Sequence, residues 1–105
     1  MPDTPLPPED CNTMAEVRTG IDALDAELVQ LLARRFAYMR AAARIKPERE
    51  QVRDEARKAE VIANAGKLAG ELGLPAALVE ALWEQLVEGS IAYELDVWDS
   101  RRRDD

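Results

Sequence analysis

Residues 14–46 read MAEVRTGIDALDAELVQLLARRFAYMRAAARIK, and the placement of their apolar side chains decides the fold. Met14, Val17, Ile21, Leu24, Leu28, Leu31 and Leu32, then Phe36, Met39, Ala42 and Ala43, recur at spacings of three and four. That is the period of a helix with one buried face. No Gly or Pro interrupts residues 21–46, and Pro47 disfavours helical geometry at Lys46. The pattern predicts a single helix of ~33 residues, about 50 Å long. It has one fault: where the seam calls for an aliphatic residue at position 35, the chain supplies Arg35.

The chain has 105 residues, enough for one domain with one modest core. A compact domain of this size is roughly 35 Å across, so the first helix outruns the domain that should bury it. A homodimer in which two such helices pack together answers the mismatch, whereas a monomer would need the helix to bend.

Either side of this helix the reading is simpler. Residues 1–12 (MPDTPLPPEDCN) are acidic and proline-rich and lack periodicity, as in a flexible lead-in. Thr13 and Glu16 have the spacing of a capping box. Charged residues 47–51 make a connector, and a second helix is expected over 53–72 on a small-residue face of Ala56, Ala59, Ile62, Ala65, Ala69 and Leu72. Gly73-Leu74-Pro75 ends it and opens a third helix, expected to reach Ser100. There Leu78, Val79, Leu82, Trp83, Leu86, Val87, Ile91, Leu95 and Trp98 form a broad apolar stripe with Glu94 beside it. No alternating strand pattern occurs, so the expected class is all-α: a three-helix domain over 13–100 and a frayed tail over 101–105.

Composition narrows function. A net charge of −7 disfavours nucleic acid and anionic membrane surfaces as partners, and any anion site must rest on a local cluster of cations. The absence of histidine excludes histidine acid/base catalysis, Ser-His triads and histidine metal sites. Cys11 has no second cysteine to pair with. With no signal-like leader and no membrane-spanning apolar run, the expectation is a soluble cytoplasmic protein.

Four charges stand out. Arg35 and Lys46 are almost three full turns apart on the same side of one helix, about 16 Å along its axis. Arg18 lies roughly 25 Å before Arg35 and about a quarter turn away, so one straight helix cannot bring all three to one small ligand, whereas an antiparallel partner helix could. The structural alternatives are an Arg18–Asp22 pair at i+4 and an Arg35–Glu94 salt bridge, since an unpaired buried guanidinium is very costly. Farther on, Arg53 suits a solvated surface role, and Asp54 with Lys58 suits an i,i+4 surface pair.

Arg18, Ile21, Asp22, Leu24 and Asp25, followed by Arg35, Lys46, the Val52-Arg53-Asp54 run with Arg57, and Glu94, resemble the small all-helical chorismate mutases. The likeness spans roughly residues 11–98. It extends to the isochorismate pyruvate-lyases of the same fold, which make salicylate and pyruvate; Pro8-Glu9-Asp10-Cys11 is similar to that branch. The resemblance implies a three-helix protomer, an intertwined homodimer, and two equivalent sites that use neither metal nor cofactor. It implies that Arg18 reaches into the partner's site, that Arg35 and Arg57 bind the carboxylates of chorismate or isochorismate, and that Lys46 and Glu94 face the ether oxygen.

The expected activity is therefore chorismate mutase, in the shikimate pathway toward aromatic amino acids. The alternatives are an isochorismate pyruvate-lyase of salicylate biosynthesis and a non-catalytic helical dimerisation module. Two residues depart from the mutase pattern. Glu94 stands where many relatives have glutamine, and Lys58 follows Arg57 where many mutases have a glutamate that the lyases also lack.

Overall fold

The computed structural model describes residues 4–103. Three helices carry them: α1 (Met14–Ile45), α2 (Glu55–Glu71) and α3 (Ala76–Arg103), with 3-10 turns at Pro8–Asp10 and Arg49–Gln51. No strand occurs among the described residues, so the all-α expectation holds. None of the described helices is long and apolar enough to cross a membrane.

The helix ends follow local chemistry. At the start of α1 the Glu16 carboxylate accepts from the backbone N–H of Asn12 (2.9 Å) and Thr13 (3.0 Å), while Glu16 N donates to Thr13 Oγ1 at 3.1 Å. This is the expected capping box, and the donated Asn12 N–H, offset in part by desolvation, holds the Glu16 carboxyl below its ordinary range. Asp54 caps α2 by accepting from Arg57 N, so that helix begins two residues later than expected. Gly73, at φ +76°, closes it, with Leu74 N donating to Ala69 O at 2.8 Å.

The described residues form two compact units, one ending at Ala37 and the other beginning at Tyr38. In the first, the lead-in is more ordered than its composition suggested: Pro5, Leu6, Pro8 and Cys11 line an apolar cleft with Val17, Gly20, Ile21 and Leu24 of α1. Met1–Asp3 lie outside the described residues. Much of the predicted seam of α1 within this unit is exposed. Ile21, Leu24, Leu28 and Leu31 are each at least half exposed, and Leu32 is 39% exposed.

In the second unit α2 packs on α3 around Val52, Val87 and Ile91, flanked by Val61, Ile62, Trp83, Leu95 and Trp98. Gly66 is buried where a β-carbon would come within 2.7 Å of Glu80 Cγ, so the glycine that weakens α2 as a helix permits its approach to α3. Helix α3 continues past the expected end at Ser100: Arg101–Arg103 are helical rather than frayed, and Asp104 and Asp105 lie outside the described residues.

Charges also tie α2 to α3. Lys58 does not take up the expected pairing with Asp54, whose carboxylate serves the helix cap; its ammonium lies 2.8 Å from Glu84 and 2.7 Å from Glu88. Arg53, expected to be solvated, binds both oxygens of Glu88, at 2.8 and 3.0 Å. Hydrogen bonds from Arg53 and then Lys58 pull the Glu88 carboxyl down from 4.5 to about 2. A carboxyl depressed on folding contributes stability above its unfolded value and loses it as pH falls through the folded one. Glu88→Gln is therefore expected to lower the thermal unfolding midpoint at pH 7, with the deficit closing between pH 4.5 and about 2. A deficit independent of pH, followed by circular dichroism, would contradict this.

Candidate active site

Pro47 sets the geometry of the site. The last α-helical hydrogen bond of α1 runs from Lys46 N to Ala42 O at 2.9 Å. Proline has no N–H to donate to the next carbonyl, that of Ala43. Ala43 is fully buried, so water cannot take over.

Helix α3 supplies the missing donors. Arg102 Nη1 donates to Ala43 O and Arg102 Nη2 to Lys46 O, both at 2.8 Å, and Trp98 Nε1 donates to Lys46 O at 3.0 Å. The guanidinium lies over the Trp98 ring, 4.1 Å from its centroid, a stacked cation–π arrangement. These contacts also explain why α3 stays helical through Arg103.

With the backbone of Lys46 held in this way, its side chain meets Glu94. Lys46 Nζ donates to Glu94 Oε2 at 2.8 Å. The Glu94 side chain is 5% exposed and that of Lys46 is 30% exposed. A cation and an acid, one enclosed and the other partly open, thus form one polar spot on an otherwise apolar stripe. Two hydrogen-bonding groups so placed can address a single oxygen of a bound molecule. Glu94 is thus an ion-pair partner of Lys46.

The other predicted residues occupy separate places. Arg57 is exposed and its guanidinium pairs with Glu60 on the same helix. Arg18 is exposed in the first unit, and the Arg18–Asp22 pair allowed by spacing is not formed among the described residues. Arg35, in the same unit, is half-buried. Trp98 and Arg102 were not singled out from the sequence. Their signal was register, because 94, 98 and 102 are successive i+4 positions on one helix face.

Residues 17–95 match the family described as chorismate mutase type II. The isochorismate pyruvate lyase of Pseudomonas aeruginosa is 36% identical over 95 residues, an overlap that takes in 90% of this chain and 94% of the relative.

Proposed function

The chain belongs to the chorismate mutase type II family, and on that premise we propose that it rearranges chorismate to prephenate. The observation that carries the reading is the Lys46–Glu94 pair. In the rearrangement the ether C–O bond breaks as the enolpyruvyl methylene bonds to the ring, and electrons accumulate on the ether oxygen. The reaction needs no nucleophile. It needs the enolpyruvyl arm held over the ring and donors aimed at that oxygen.

Lys46 is one such donor. Glu94 is the second only when protonated, because an ionised carboxylate would repel the charge that develops. Arg35 and Arg57 bind the two substrate carboxylates, a task suited to the planar guanidinium fork. The exposed Arg57–Glu60 pair is of the kind worth little in water, so a substrate carboxylate can displace Glu60 at small cost. Arg18 completes the site of a second copy. The uncovered seam of Ile21, Leu24, Leu28 and Leu31 supports such a dimer, because that much contiguous apolar helix surface calls for a cover.

A second reading is isochorismate pyruvate-lyase, favoured by the similarity to the Pseudomonas aeruginosa lyase. Lys58, which pairs with Glu84 and Glu88, stands where many mutases place a hydroxyl-binding acid; this weighs against the mutase without identifying the lyase. In that reaction the same ether bond breaks while a ring hydrogen passes to the enolpyruvyl methylene, releasing salicylate and pyruvate. Lys46 would serve the same oxygen in either case.

Incubation with chorismate and isochorismate separately decides between the two: prephenate from chorismate is expected, whereas salicylate and pyruvate from isochorismate alone would establish the second reading. Lys46→Ala should lose at least ~10²-fold in kcat with the helical signal intact, and near-normal turnover would sink both readings. Glu94→Gln, whose amide can donate to the same oxygen, should keep turnover, whereas Glu94→Ala should lose it. Near-normal turnover by Glu94→Ala would remove Glu94 from this role.

A further inference from the structure

One face of α3 holds Lys46 at both ends. Glu94 takes the amine, while Trp98 and Arg102, one and two turns further along, take the backbone carbonyl. We propose that Arg102, supported by Trp98, is a positioning residue that aims the Lys46 ammonium by replacing the hydrogen bond Pro47 cannot make; the inference rests on the assignment of Lys46 to the ether oxygen.

Ending α1 at Ile45 places Lys46 at the point where the backbone is least constrained, since terminal carbonyls lack intrahelical partners. A lysine side chain adds four rotatable bonds, and a misplacement of about 1 Å can cost up to 10² in rate. The Arg102 fork spans the carbonyls of residues 43 and 46, which pins the last turn in azimuth as well as in height. Stacking on Trp98 fixes the fork itself. Beyond Lys46, Arg49 pairs with Asp99 at 2.8 Å, so the departing chain is tied to the same end of α3. Without Arg102 the buried Ala43 carbonyl has no donor, and the last turn must open to find water. That would release Lys46 from Glu94.

The test uses the three lysines of the chain, Lys46, Lys58 and Lys67, as probe and internal controls. Competitive acetylation followed by mass spectrometry reads the reactivity of each in the full-length protein. Arg102→Ala is expected to raise Lys46 labelling several-fold while Lys58, held by Glu84 and Glu88, and exposed Lys67 keep their wild-type rates. In turnover, kcat should fall roughly tenfold with a smaller change in KM, and the loss should vanish in a Lys46→Ala background. Arg102→Lys, which keeps the charge but not the fork, should fall between. If Arg102→Ala does not fold, Trp98→Phe keeps an aromatic face but loses the indole N–H and part of the stacking area, and should show the same pattern more weakly.

Unchanged Lys46 labelling, a parallel rise at Lys58, or an equal kcat loss in the Lys46→Ala background would overturn the proposal. Labelling requires no turnover. A wild-type protein inactive on both substrates would therefore refute the functional reading, while the labelling result would still decide whether Arg102 positions Lys46.

Discussion

The missing N–H of Pro47 is the constraint on which the second unit depends. It ends α1, leaves the buried carbonyl of Ala43 without its intrahelical donor, and so makes that end of α1 rely on α3. Arg102 and Trp98 answer for the backbone, and Glu94, on the same face, answers for the Lys46 side chain. A proline often means only that a helix stops. Here it also fixes which helix the next element must lean on, and places the partly buried Lys46 ammonium at the junction.

In the proposed function one chain makes only part of the site. Lys46 and Glu94 meet within the second unit, while Arg57 points to solvent with a local partner and Arg18 is exposed without one among the described residues. The stretch of the α1 seam from Ile21 to Leu32 is likewise exposed. In the proposed dimer the two deficits have one remedy, because the copy that covers the seam also delivers its Arg18. The pair is then a means of building an anion site on a protein of net charge −7: arginines from two chains converge where neither chain alone concentrates enough positive charge.

Elements set by local rules were legible in the sequence. The three-and-four spacing of α1, the Thr13–Glu16 box, Pro47 and the Gly73-Leu74-Pro75 stop each act within a few residues, and each boundary lies within about three residues of its expectation. Errors arose where a nearer rule lost to a distant partner. Asp54 is four residues from Lys58, but its carboxylate goes to the helix cap, and Glu84 and Glu88 offer two acceptors from α3. Composition marked Arg101–Arg103 as a tail because nothing local reveals that Arg102 meets carbonyls 56 and 59 residues away. The lead-in misled for a related reason: proline-rich packing has no period to detect. Glu94 was visible as an acid beside an apolar stripe, but its pairing with Lys46, 48 residues away, came through family resemblance rather than spacing.

The central claim is that each α1 serves two sites, Lys46 in one and Arg18 in the other. Subunit complementation tests it most directly. Arg18→Ala and Lys46→Ala proteins, each nearly inactive alone, are mixed in equal amounts, allowed to exchange subunits and assayed on whichever substrate the wild type turns over. If sites are shared, half of the dimers are mixed and each has one site with both residues intact, so about one quarter of wild-type activity should return. If mixed dimers form and activity stays at the sum of the two parents, Arg18 does not act across the pair and the account is wrong.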